Sequence, residues 1–272
     1  MITSLLVDAD ILIYKASFVS ETGIEWEPGC YNLIADMNLA KDIFHGIISD
    51  AVKKLEADKV ILFISGKNNF RKAINPTYKS NRDYSFRPLL VKPMLEWIES
   101  GEHGYRVICE EGFEADDMIS AHATGFDKEK YRRIIVSIDK DFGAVPLEFY
   151  HVDRRQLWKA PTFKHCENFS LVQTLSGDPT DGYYGIKGVG EASARKRLER
   201  DGWKFQTVVD FFLEKGYTKE DALVNTWMAR FITRKNFKTR TLYGGYKIEE
   251  AVQMMKEYRL KNNPKLKAEF EV

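Results

Sequence analysis

Short apolar runs alternate along the first half of the chain with stretches of helical period. Ser4-Leu5-Leu6-Val7 leads into Asp8-Ala9-Asp10; Val60-Ile61-Leu62-Phe63-Ile64, Tyr105-Arg106-Val107-Ile108-Cys109 and Ile134-Ile135-Val136-Ser137-Ile138 follow. Runs this apolar suit strands buried on both faces. Between the first two, Leu33, Met37, Ala40, Phe44, Ile47, Ile48, Ala51 and Leu55 recur along one face of a helix over 33–55. Strands alternating with helices predict a parallel α/β sheet. After residue 170 the β-type runs stop. Helices are predicted over 204–215, with Gly216 as C-cap, and over 220–234 and 248–260. The pattern therefore divides the chain into an α/β core, 1–170, and a mostly helical unit, 171–272.

In open parallel sheets, ligands bind beyond the carboxyl ends of the strands. The acids gather there. Asp8 follows the first run, and Asp139 and Asp141 follow the fourth in Ser137-Ile138-Asp139-Lys140-Asp141-Phe142. Glu114, Asp116 and Asp117 come shortly after the third, in Glu110-Glu111-Gly112-Phe113-Glu114-Ala115-Asp116-Asp117. Carboxylates packed so closely repel one another unless a cation lies among them. A carboxylate-rich first turn also complements any helix N-terminus, and Asp139 with Asp141 also suits a solvated turn. What favours a metal is that three separate stretches deliver acids to one sheet edge. On a regular helix Asp116 points about 100° away from Asp117, so Glu114, Asp116 and Asp117 meet only if the helix begins near Ala115. Oxygen donors suit magnesium, and histidine and cysteine are nowhere at zinc-ligand spacing.

The 272 residues are 44% hydrophobic, enough for a sizeable core. Because 41 Lys+Arg nearly cancel 40 Asp+Glu, a polyanion site has to come from where the charges sit. The connection over 65–104 is longer than a crossover needs. Over 67–92 it holds Lys67, Arg71, Lys72, Lys79, Arg82, Arg87 and Lys92 against the single acid Asp83, with Phe70, Tyr78, Tyr84 and Phe86 interleaved. Cations mixed with aromatics grip phosphates and stack on unpaired bases. Gly185-Ile186-Lys187-Gly188-Val189-Gly190 has no predicted strand before it and holds Lys187 within it, so it is not expected to be a dinucleotide loop. It opens a helix over 191–198 whose N–H groups can face a phosphate, with Arg195, Lys196 and Arg197 adding charge. Cys30, Cys109 and Cys166 are far apart, odd in number and never in a C-x-x-C pair, which argues against a disulfide framework and a zinc ribbon. A reducing cytoplasm is expected, since the chain has neither a secretory leader nor an apolar run near the roughly 18 residues of a spanning helix.

Five stretches carry a resemblance: Leu6-Val7-Asp8-Ala9; Phe70-Arg71-Lys72 with Pro76-Thr77-Tyr78-Lys79-Ser80-Asn81-Arg82; Gly112-Phe113-Glu114-Ala115-Asp116-Asp117; Ser137-Ile138-Asp139-Lys140-Asp141-Phe142; and Gly177-Asp178-Pro179-Thr180-Asp181-Gly182 leading into Gly185–Gly190. In this order the chain resembles the 5′-3′ exonuclease and flap endonuclease family, similar to small phage exonucleases and to the 5′ nuclease domain of bacterial DNA polymerase I. The resemblance implies a PIN-like α/β nuclease core, a basic arch or clamp over about 65–104, and a helix-three-turn-helix unit over about 175–200 that holds duplex DNA and a potassium ion. It implies two magnesium ions, with manganese as substitute, held by Asp8, Glu114, Asp116, Asp117, Asp139 and Asp141, with Asp178 and Asp181 joining them.

By the same resemblance, Lys79, Arg82 and Arg71 would contact the scissile phosphate and Tyr78 would stack on a terminal base. Lys72, Gly185, Lys187, Gly188, Gly190, Arg195 and Lys196 would bind DNA. The implied substrates are duplex or flapped DNA with 5′ ends, and the RNA of RNA–DNA hybrids. A monomer working beside replication proteins in the cytoplasm of a phage host is the implied setting. One departure stands out. The family places an aspartate at the end of the second strand, where this chain reads Phe63-Ile64-Ser65-Gly66-Lys67-Asn68-Asn69-Phe70 with no acid. That leaves open a DNA-structure binding protein with weakened hydrolysis, and the acidic set alone leaves open a PIN-type ribonuclease.

Overall fold

The first apolar run forms β1 (Ile2–Asp8), in which Leu5, Leu6 and Val7 are fully buried. The computed structural model describes residues 1–82 and 87–262; Asp83, Tyr84 and Phe86 of the basic connection, and residues 263–272, lie outside the described residues. α1 (Ala9–Val19) starts directly on the end of β1. A hairpin of β2 (Glu21–Glu27) and β3 (Cys30–Ala35) precedes α2 (Met37–Leu55). The helix expected from Leu33 thus begins later, because Leu33 pairs with Gly23 across the hairpin. The Asp36 side chain accepts from the N–H groups of Asn38 and Leu39, which caps α2 at its observed start.

β4 (Lys59–Phe63), α3 (Phe70–Ile74), α4 (Val91–Ser100), β5 (Arg106–Ile108), α5 (Ala115–Ala123), β6 (Tyr131–Ser137), β7 (Glu148–His151) and β8 (Gln156–Trp158) follow. They form one six-stranded sheet in the order β5-β4-β1-β6-β7-β8. All neighbours are parallel except β8, which runs antiparallel to β7. β1 is central, which explains why its apolar residues need no polar alternation. One layer of the core packs Leu5, Val7, Leu62, Ile134 and Val136 with Phe44, Ile48, Met94 and Ile98 of α2 and α4. Parallel pairing leaves the C-terminal ends of β1, β4, β5 and β6 on one edge, with Asp8 in register with Phe63.

That edge is tightly built where β4 ends. The Gly66 N–H donates to the Phe113 carbonyl at 2.9 Å, and a β-carbon at Gly66 would lie 2.0 Å from the Glu110 carbonyl oxygen. Gly66→Ala is therefore expected to destabilise the fold by about 1–3 kcal/mol, read as a lower urea midpoint.

Contacts divide the chain into two compact units, Met1–Gly66 with Asp83–Pro161, and Lys67–Arg82 with Thr162–Val272. α3 belongs to the second. It is joined there by α6 (Phe163–Ser176), a small hairpin of β9 (Gly177–Asp178) and β10 (Tyr183–Tyr184), α7 (Glu191–Asp201), α8 (Phe205–Glu214), α9 (Lys219–Ala229), α10 (Arg234–Thr239) and α11 (Ile248–Asn262). Leu171, Leu175, Ala194, Leu198, Val208, Phe212 and Ala222 form a core of this unit. The helix expected over 220–234 ends at Ala229, because Arg230 is extended, and α10 starts anew. Among the described residues, no helix is long and apolar enough to cross a membrane.

Candidate metal centre and nucleic-acid contacts

α5 starts at Ala115, the start at which the three acids of its first turn can converge. Glu114 is the N-cap, in extended backbone, so its side chain leaves from outside the helical spiral. Asp117 is fully buried, and its Oδ2 accepts the Glu114 N–H at 3.4 Å. Asp116 Oδ1 accepts the Asp117 N–H at 2.6 Å. One carboxylate oxygen from each of Glu114, Asp116 and Asp117 lies within 4.8 Å of the others. Capping accounts for part of this arrangement. Fully burying an aspartate beside two more carboxylates goes beyond what a solvated cap requires.

Asp8, at the end of β1, is buried and accepts the Ser137 Oγ–H at 2.8 Å. Ser137 Oγ accepts the Asp139 N–H at 3.1 Å, and Asp139 Oδ1 accepts the Asp141 N–H at 2.9 Å. One buried hydroxyl thus ties the ends of β1 and β6 together. Burial, and next the charge of Asp10, with a smaller push from Asp139, raise the Asp8 carboxyl to about 7. A site that penalises negative charge this strongly suits a cation. The donors are all carboxylate oxygens, so the residues present fit a hard divalent ion such as magnesium.

Two residues with a place at this edge were not among the sequence candidates. Ser137 was visible only as part of a motif. Asp10 sits in the first turn of α1 and accepts the Ser65 N–H at 2.9 Å. Its signal in the sequence is the Asp8-Ala9-Asp10 spacing, which a helix starting at Ala9 turns toward the strand ends.

In the helical unit, Asp181 is held from several sides. Arg82 approaches it at 2.9 Å, Lys79 Nζ at 3.6 Å, and the Tyr78 hydroxyl donates at 3.2 Å. Lys79 also donates its backbone N–H to the Asp181 carbonyl at 2.8 Å, from a left-handed conformation with φ 54°. Gly182 is required here: with φ 70°, a β-carbon on it would lie 2.4 Å from the Thr77 carbonyl oxygen. Asp178 Oδ1 accepts the N–H groups of Thr180 and Asp181 at 2.8 and 3.4 Å.

Three of the residues expected to contact DNA lie in packed surroundings. Arg71 is 2% exposed, and its guanidinium donates to the carbonyls of Arg230 at 3.0 Å and Met228 at 3.4 Å. Tyr78 is 3% exposed and stacks on Tyr183 with ring centroids 6.5 Å apart. A β-carbon on Gly185 would lie 2.1 Å from the Leu175 carbonyl oxygen, so this glycine answers to backbone packing. Arg197 is also turned inward, onto Asp201 and Glu214. Lys72, Lys187, Gly188, Gly190, Arg195 and Lys196 are exposed, although the Lys187 N–H already donates to the Tyr217 hydroxyl at 3.2 Å.

Residues 3–159 match the family model described as 5′-3′ exonuclease, N-terminal resolvase-like domain. The chain is 29% identical over 201 residues to the exodeoxyribonuclease of Enterobacteria phage T3, covering 70% of this chain and 64% of that protein, so it spans less than two thirds of that relative's length. It is 29% identical over 197 residues to the DNA polymerase I of Rhizobium leguminosarum, covering 66% of this chain and 19% of that one. Its fold is shared with the flap endonuclease of bacteriophage T5, solved in a complex with DNA and metal ions, at a TM-score of 0.63 and 17% identity over 94% of this chain and 98% of that one. The matched region carries Asp8, the first turn of α5 and the acids after β6, and the chain belongs to the 5′-3′ exonuclease family.

Proposed function

We propose that this chain hydrolyses phosphodiester bonds at 5′ ends of duplex or flapped DNA, as a magnesium-dependent 5′-3′ exonuclease with flap endonuclease capacity. The observation that carries the proposal is the convergence of buried Asp8, the Asp139–Asp141 turn and the first turn of α5 on one edge of a parallel sheet. Two divalent ions, with manganese able to replace magnesium, supply when bound the positive charge that the attacking and leaving oxygens of an in-line displacement need. Glu114, Asp116 and Asp117 would hold them together with Asp8, Asp139 and Asp141. Ser137 keeps Asp8 and Asp139 oriented through one hydroxyl. In the helical unit, Asp178 and Asp181 are the proposed metal-binding acids.

Lys79 and Arg82 would meet the scissile phosphate, their side chains steadied by Asp181. Lys72, Lys187, Gly188, Gly190, Arg195 and Lys196 would follow the duplex backbone, with a potassium ion in a helix-three-turn-helix over about 175–200. Removal of primers, including the RNA of hybrids, or degradation of DNA during phage replication is the role this chemistry suits. The chain would act as a monomer beside replication proteins.

The test is release of short 5′-labelled products from duplex and flapped DNA. Release is expected with magnesium or manganese and none in EDTA; DNA binding without turnover in any divalent ion would reject the proposal. Lys79→Ala is expected to lower turnover roughly tenfold or more while duplex affinity stays within about twofold of the parent. A uniform loss of binding would make Lys79 an ordinary phosphate contact.

A further inference from the structure

β4 brings no acid of its own to the carboxyl edge, because Phe63 is followed by Ile64, Ser65 and Gly66. The backbone there has no room for one at position 66, where even a β-carbon would meet the Glu110 carbonyl. Position 65 is engaged as well. Ser65 Oγ accepts the Ala115 N–H at 3.0 Å, which joins the end of β4 to the first residue of α5. Ser65 is therefore one bond away from the helix turn that carries Glu114, Asp116 and Asp117. Its own N–H donates to Asp10 Oδ2 at 2.9 Å.

Asp10 lies two residues past Asp8 and is only partly buried. Its carboxylate is drawn over the end of β4 by a backbone donor, which fixes its place. The result is a carboxylate between the end of β1 and the start of α5, delivered from α1 to the one central strand end that lacks an acid.

We propose that Asp10 is a further ligand, direct or through water, for the divalent ions of this edge, supplying the carboxylate that β4 does not, and that Ser65 is its positioning residue. The inference rests on the metal-dependent reading above. The competing role for Asp10 is a helix-start carboxylate that stabilises α1 electrostatically. The two differ in what charge removal does: a ligand loses metal affinity, whereas a helix-start residue loses stability without metal.

Calorimetric titration with Mn²⁺ alone, without DNA, separates them. Asp10→Asn keeps an oxygen that can accept from Ser65 and removes the charge. It is expected to weaken Mn²⁺ binding at least about tenfold, with a thermal midpoint in EDTA no lower than the parent's. Adding Ser65→Asp to Asp10→Asn is expected to restore part of the affinity, since it returns a carboxylate to the same strand end. Unchanged Mn²⁺ affinity in Asp10→Asn would overturn the assignment. So would a fall of more than about 5 °C in the EDTA midpoint, the mark of a structural role. If the parent chain itself bound no Mn²⁺, the metal-dependent reading would fall first and take this inference with it.

Discussion

Asp116→Asn is expected to lower the rate of 5′-product release by at least about a hundredfold. The side chain accepts the Asp117 N–H, and an amide oxygen can keep that bond. The change thus removes charge while leaving that hydrogen bond intact. Asp117 would be a poorer choice for the same question. It is fully buried and accepts the Glu114 N–H, so its replacement mixes folding with function. Initial rates at saturating DNA, with thermal midpoints in EDTA beside them, separate the two effects. Undiminished cleavage by a folded Asp116→Asn protein would remove Asp116 from the site.

The second large effect concerns stability. Asp8 is raised in the folded chain from an ordinary 3.8 to about 7. A carboxyl raised in this way binds its proton more tightly folded than unfolded. Its contribution is therefore fully present below about pH 4 and is lost as pH rises through about 7. A shift of this size corresponds to a loss on the order of 4 kcal/mol across that window. Asp8→Asn cannot titrate and keeps an oxygen able to accept from Ser137. In EDTA, Asp8→Asn is therefore expected to gain stability relative to the parent between pH 4 and pH 8, in paired urea titrations. Parallel curves across that range would contradict the buried, charge-penalised setting of Asp8. Divalent ions favour the ionised carboxylate, so saturating Mg²⁺ should shrink the difference.

The strands that carry the site were legible because the second halves of β1 and β6 are buried and read as short apolar runs, Leu5–Val7 and Ile134–Val136. The hairpin of β2 and β3 was not, since Trp26, Leu33 and Ile34 are exposed and leave no buried face to read. Acids at strand ends were legible for a local reason: Asp8 and Asp139 lie next in sequence to the runs that place them. Contacts between distant positions could not be read this way. Asp10 meets Ser65 across 55 residues, and Asp181 meets Arg82 across 99. Arg71 carried the charge of a phosphate ligand in sequence, but burial turns its guanidinium onto backbone carbonyls. Gly185 had the same ambiguity, because a glycine placed for close packing and one placed for an anion look alike in sequence.

The end of β4 brings no acid to the metal-binding edge. The geometry shifts the question to Asp10, which a backbone donor holds at that strand end. Crystals soaked in Mn²⁺ address the edge most directly, through anomalous density. Two peaks among Asp8, Glu114, Asp116, Asp117, Asp139 and Asp141, one of them beside Asp10, are the expected result. Density confined to other surfaces, with none at that edge under saturating Mn²⁺, would contradict a metal-dependent nuclease built on these carboxylates.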